Sequence, residues 1–224
     1  MDDRSASVSA VAALAEPTRR RLYDHVAGRP RPVSRDEAAA AVGVPRATAA
    51  FHLDRLVDDG LLEVRFERRT GRTGPGAGRP SKLYRRSEAA VEVSFPERHY
   101  DLAGDLLAEA MLAAEESGEP PRAALGRLAR DRGRQLAEEA PAAGGPAAVL
   151  DVLAAHGFEP REEAGAVTLV NCPFHTLARE HTELVCGMNL QLVDGVLDGV
   201  TSPRLEARLD PFPGRCCVRL LPTG

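Results

Sequence analysis

The sequence predicts an α+β chain of 224 residues in which short helices around a tight turn lead into a β-hairpin, then a helix pair, then a mixed domain. Three observations carry this. Two short helical patterns meet at Gly43, and the segment after Gly60 alternates like a strand. Two longer amphipathic patterns lie between residues 98 and 140. Strand and helix signals then mix in the order αββαββ. The boundaries read as 1–90, 91–145 and 146–224.

The first helix runs from Pro17 to a stop at Gly28, with Leu22 and Val26 one turn apart on one face. Ser34 reads as an N-cap with Glu37 three residues on, a capping-box pattern that opens a helix ending at Gly43. Val44-Pro45 makes the turn, with Pro45 suited to the first position of the next helix. That helix reads Arg46-Ala-Thr-Ala-Ala-Phe-His-Leu-Asp-Arg-Leu-Val-Asp-Asp59, with Ala49, Leu53, Leu56 and Val57 facing inward. Helix, glycine turn and helix make a helix-turn-helix, whose second helix enters the major groove of DNA. Its outward residues Arg46, Thr48, His52 and Arg55 are candidates for DNA contact. His52 reads equally as a partly buried residue packed beneath that face.

Leu61–Arg69 and Lys82–Arg86 alternate as two strands around the glycine-rich loop Thr70–Ser81, a hairpin wing with a long tip. Between residues 61 and 86 there are eight basic residues and two acids. Arg69, Arg72, Arg79 and Lys82 are therefore candidates for phosphate or minor-groove contact. Charge supports the division. Residues 1–90 carry 17 basic and 12 acidic side chains, whereas residues 91–224 carry 12 and 21. A cationic first part on an anionic remainder points to double-stranded DNA as a partner of the first part alone. Lys82 is the only lysine, so local clustering of arginine carries the argument rather than arginine content.

No apolar run approaches the roughly 20 residues that cross a bilayer. Met1-Asp2-Asp3-Arg4 opens without an apolar segment, so the expectation is no leader, no membrane partner and a cytoplasmic setting. Arg98–Ser117 and Arg122–Ala140 read as an amphipathic antiparallel helix pair, a natural homodimer interface or, equally, a pair packed within its own chain. Beyond the Pro141–Pro146 turn come a helix over 147–156, a hairpin of 158–162 and 166–170, and a helix-rich stretch from Phe174 to Leu197. Strands at 204–209 and 216–220 then flank Pro211-Phe-Pro-Gly.

All four cysteines lie in this last part. Cys172 sits at a strand end, Cys186 in the following helix, and Cys216-Cys217 at the start of the final strand. Thiols from three elements that can converge suit a metal or an iron–sulfur cluster. The alternative is that they are small buried hydrophobes.

Residues 14–88, with Pro-Arg-Ala-Thr-Ala-Ala-Phe-His-Leu-Asp-Arg-Leu, then Asp-Gly-Leu-Leu and Gly-Arg-Pro-Ser-Lys-Leu-Tyr, resemble the winged-helix domain of ArsR-type bacterial repressors. The Gly-Arg-Pro wing is most similar to the SufR-like branch. The resemblance implies dimers on pseudo-palindromic operators. Asn171-Cys-Pro-Phe-His-Thr-Leu-Ala, Leu184-Val-Cys186 and Arg215-Cys216 resemble the cluster-binding region of SufR-type repressors, which sense iron–sulfur status and repress cluster-assembly genes. By that resemblance Cys172, Cys186 and Cys216 are ligands in a sensor domain. The fourth ligand stays open among His175, His181, Cys217 and an external group. The Cys216-Cys217 pair departs from the family's lone third cysteine.

Three other readings compete. A structural Zn2+ site would use Cys172, His175, Cys186 and Cys216. An apolar effector pocket would be lined by the buried helix after Phe174. A thiol enzyme would use Cys172 with His175 or His181, but no Asp or Asn partner stands at a telling position. The expectation is a regulator, not an enzyme.

Overall fold

The computed structural model describes residues 3–67, 80–141, 144–163, 165–201 and 203–223. The chain divides into two compact units, Met1–Val93 and Ser94–Gly224. Helices and two small antiparallel sheets make an α+β layout.

The first unit opens with a helix absent from the sequence reading, α1 (Asp3–Ala13), which buries Ala10 and Ala13. In α2 (Pro17–Ala27), the Glu16 carboxylate accepts from the backbone N–H of Thr18 at 3.0 Å and Arg19 at 2.6 Å, satisfying donors the helix leaves open. A two-residue strand, β1 (Val33–Ser34), precedes α3 (Arg35–Val42). Ser34 caps α3 as expected, its hydroxyl accepting from Glu37 N–H at 3.3 Å. The reciprocal half of the capping box does not form, because the Glu37 carboxylate accepts from Arg31 at 2.8 and 3.1 Å instead. Gly43, at φ 73°, ends α3 in the left-handed region that glycine reaches without strain.

Helix α4 (Arg46–Asp58) follows, with Pro45 as its N-cap residue rather than its first helical residue. The hairpin of β2 (Leu62–Glu67) and β3 (Ser81–Arg86) gains a third strand, giving the order β1-β3-β2. Val64 pairs with Tyr84 and Leu62 with Arg86. Leu22, Leu53, Leu56 and Tyr84 are fully buried between the helices and this sheet.

In the second unit, α5 (Tyr100–Ser117) and α6 (Pro121–Glu139) share one core with α7 (Gly145–Ala155) and the helices after it. The segment read as a linker, 91–145, thus supplies Ala103, Leu106, Leu125 and Leu136 to the same core as Phe158 and Leu192. The helix of α5 starts two residues later than the sequence suggests, since Arg98 N–H is held by the Ser94 hydroxyl at 2.9 Å. Strands β4 (Pro160–Glu163) and β5 (Ala166–Leu169) form the expected hairpin. The helix-rich stretch breaks at His181 into α8 (His175–Glu180) and α9 (Thr182–Gly199). With β6 (Leu205–Leu209) and β7 (Val218–Pro222), the sheet order is β4-β5-β7-β6, all antiparallel.

Helix α9 lies directly on α6. A Cβ built on Gly133 would stand 2.9 Å from Gly195 Cα and overlap the Leu192 carbonyl oxygen, so the two backbones touch where neither has a side chain. Arg130 clamps the same crossing with a bidentate bond to Asp198 at 2.6 and 3.0 Å. This crossing fixes the position of Cys186 on α9 relative to the rest of the core.

Candidate nucleic-acid interface and cysteine cluster

The apolar stripe of α4, Ala49, Leu53 and Leu56, is buried, which leaves Ala47, Phe51, Arg55 and Asp58 exposed along its other side, with Arg46 exposed at its first turn. Arg46 pairs with Asp36 of α3 at 2.6 Å, and Arg55 with Asp59 at 2.9 Å. Both guanidiniums are more than half exposed; the Arg46–Asp36 pair, exposed on both sides, costs little to exchange for a phosphate, whereas the Asp59 side chain is nearly buried and holds Arg55 more firmly. Thr48 is half-buried beside them. His52 is turned inward, with 13% of its side chain exposed. Its Nδ1 accepts from Arg19 Nε at 3.5 Å and lies 3.6 Å from the Glu16 carboxylate. It therefore seats α4 on α2 rather than joining the exposed face.

Lys82 lies on β3 and reaches Asp54 of α4 at 2.5 Å, and Tyr84 donates its hydroxyl to the same carboxylate oxygen at 2.7 Å. Burial alone would raise the Asp54 carboxyl, but those two hydrogen bonds outweigh it and hold its pKa below the ordinary range. Burial and the adjoining carboxylate push the Tyr84 phenol well above its ordinary value. The wing strand and the second helix are thus joined by one acceptor. Arg65 and Arg86 are exposed on the strands, whereas Arg69, Arg72 and Arg79 lie outside the described residues. Sequence reasoning missed Asp54 and Phe51. Phe51 was legible as an aromatic residue off the buried stripe.

In the second unit the cysteines come together. Cys172, Cys186 and Cys216 are buried and Cys217 is half-buried. The neighbouring Cys216 thiol, and then burial, push the Cys172 thiol far up. At Cys216 the nearby Cys172 thiol lowers the pKa, but the Cys217 thiol and burial prevail and push it up to about 12. Burial lifts Cys186, with Cys217 pulling it back. Cys172 thus neighbours Cys216, Cys216 neighbours Cys217, and Cys217 neighbours Cys186. His175 and His181 are both exposed. Of the side chains considered for a fourth ligand, Cys217 is the one beside the other thiols.

Two asparagines frame the cluster. Asn189 Nδ2 donates to Cys216 Sγ at 3.1 Å, and its Oδ1 is buried with no hydrogen-bond partner among the described residues. Asn171 donates from Nδ2 to the carbonyls of Gly157 at 2.5 Å and Glu97 at 3.0 Å. It also accepts from Arg98 at Oδ1. Arg98 continues to the Cys172 carbonyl at 3.2 Å, which fixes the loop carrying that thiol beyond the end of β5. Cys216 N–H donates to Leu169 O at 2.9 Å, tying the segment that leads into β7 to the end of β5.

Soft thiol donors in this number, beside an orphaned acceptor, fit a soft metal or an iron–sulfur cluster in chemical type. Among the described residues, however, no group of three His, Cys, Asp or Glu side chains is placed to hold a metal ion. A buried thiol with a raised pKa is the reverse of an activated nucleophile, so nothing here favours Cys172 as a catalytic group. A cavity of about 450 Å³ lies elsewhere in this unit, lined by His99, Asp101, Asp105, Glu109, Asp131 and His156 among others. Leu102, Leu128 and Leu136 also line it, and none of its lining comes from the helices after Phe174.

Residues 14–65 match the sequence profile of a helix-turn-helix domain, a span running from the end of α1 into β2. No curated protein and no solved structure matches the chain. Among the described residues no helix is long and apolar enough to cross a membrane. With its second helix exposed and its wing clamped beside that helix, the first unit is a helix-turn-helix DNA-binding domain, and the chain is a DNA-binding regulator of transcription.

Proposed function

We propose that the chain is a repressor of the ArsR type, SufR-like, which binds a pseudo-palindromic operator as a homodimer and takes its signal at the cysteine cluster. The meeting of Cys172 from the loop after β5, Cys186 from α9, and Cys216 and Cys217 from the segment just before β7 carries this reading. These four thiols would hold an iron–sulfur cluster, or zinc in the second reading. The bound group supplies positive charge that favours thiolates and a cross-link between the three elements. Asn171 and Arg98 hold the loop that carries Cys172, and the α6–α9 crossing holds Cys186. Ligation therefore acts on groups whose backbones are already fixed on either side. Exposed Val8 and Val11 on α1, and Met111 and Leu112 on α5, are apolar side chains available to a second copy.

The test is anaerobic purification followed by iron, sulfide and zinc analysis, a visible spectrum, and operator affinity with and without the bound group. Iron with sulfide and a visible absorbance, together with an affinity that changes on removal, is the expected result. A colourless protein with stoichiometric zinc selects the second reading. No metal at all, or a cluster whose removal leaves affinity unchanged, overturns the sensory role.

A further inference from the structure

Phe51 is 65% exposed at the second turn of α4, on the side opposite the buried Ala49, Leu53 and Leu56. Its neighbours along that face are Ala47 one turn before and Arg55 one turn after, both exposed. His52 packs edge-on to it, with ring centroids 5.3 Å apart and planes at 68°. His52 is itself held by Arg19, so the aromatic ring is braced from beneath while its outer face meets solvent.

A phenylalanine offers no hydrogen-bond donor or acceptor, so it cannot read the polar base edges. The one apolar group that base pairs present in the major groove is the thymine 5-methyl. We propose that Phe51 is a specificity-determining residue that packs on a thymine methyl, with the small Ala47 letting the helix come close enough for the contact. Arg55, one turn on, puts exposed positive charge beside the ring, which matches an occupant bearing phosphates and does not match an apolar protein surface. The inference rests on the DNA-binding reading and adds which base that helix selects.

The experiment uses the full chain and duplexes recovered by it from a random-sequence pool. Affinity is measured by fluorescence anisotropy on the recovered duplex. It is then repeated on duplexes in which each thymine in turn is replaced by deoxyuridine, a change that removes only the methyl. The expected result is a loss of about fourfold at one or more thymines, the worth of one buried methyl. Phe51→Ala should bind the thymine duplex about five- to tenfold more weakly and lose its sensitivity to that replacement. Phe51→Leu, which keeps an apolar contact, should retain part of it. Unchanged circular dichroism shows that the exposed substitution leaves the fold intact.

Tight binding by the wild type with no thymine sensitive to the replacement overturns the inference and leaves the DNA-binding reading standing. So does a Phe51→Ala protein with undiminished sensitivity, or one that loses self-association and keeps its affinity for DNA. A wild type that enriches no sequence and binds no duplex overturns both.

Discussion

Tyr84 on the wing strand donates its hydroxyl to Asp54 on the second helix of the helix-turn-helix at 2.7 Å, and Lys82 reaches the same oxygen at 2.5 Å. Tyr84 is fully buried, so its hydroxyl depends on that acceptor. Asp54→Ala should cost about 1–3 kcal/mol, the usual cost of an unsatisfied buried donor. Tyr84→Phe should cost less, since Asp54 keeps Lys82. A double-mutant cycle by urea unfolding should show that the two costs are not additive, as expected for partners in one network.

The same carboxylate makes stability depend on pH. Its folded pKa is below the ordinary value, so its contribution is complete above the unfolded-state pKa and is lost as pH falls through the folded one. Asp54→Asn should flatten the acid limb of the unfolding midpoint against pH and leave a lower plateau near neutrality. Thermal unfolding from neutral pH down to below the ordinary carboxylate pKa reads both effects.

At the α6–α9 crossing two glycines separate packing from propensity. Gly133→Ala would drive a methyl into the Leu192 carbonyl and should destabilise by about 1–3 kcal/mol or more. Gly126→Ala on the same helix meets only the flexible Gln191 side chain at 3.5 Å, so it should gain up to about 1 kcal/mol of helix propensity. Denaturant midpoints of the two variants should move in opposite directions.

Asn171→Ala removes three hydrogen bonds from a buried position next to Cys172. A loss of about 2 kcal/mol is expected, since the Gly157 carbonyl loses the buried amide that donates to it, while Arg98 and the Glu97 carbonyl each lose one of their partners. In native protein only Cys217 should react promptly with a thiol reagent. Asn171→Ala should quicken the reaction at Cys172, measured by mass mapping of the modified peptides.

Arg46→Ala and Arg55→Ala should each weaken duplex binding at every sequence. Each should also lower the slope of log affinity against log salt by about 1 if its guanidinium neutralises a phosphate. His52→Ala should lower stability instead, because its ring lies between α2 and α4. Anisotropy titrations at three or more salt concentrations, beside unfolding curves, separate the two outcomes.

Local chemistry made much of the first unit legible. Ser34 has a hydroxyl that caps, Gly43 tolerates a positive φ, and Leu22, Val26, Leu53 and Leu56 repeat at helical spacing, so each helix announces its own ends and face. Helix α1 gave no such signal, because the residues it buries, Ala10 and Ala13, are common in exposed segments as well. Strand β1 is two residues long and exists through its pairing with β3, which no local pattern encodes.

For the site, local periodicity in the sequence put Cys186 on a helix and the other thiols close to strands, but Cys172 lies in the loop beyond the end of β5 at Leu169, and Cys216-Cys217 lie just ahead of β7 rather than within it. Which side chains then meet was settled by tertiary structure. Helix α8 buries none of its residues, which carries His175 into solvent, and His181 is exposed at the break before α9. Pairing of β7 with β5, and the glycine contact of α9 with α6, bring Cys217 beside Cys186 across residues far apart in the chain. Lys82, basic and in the wing, turned out to share Asp54 with a buried tyrosine for the same reason. Charge and spacing are local properties, whereas the partner that neutralises a charge or accepts a proton is supplied by whatever the fold packs against it.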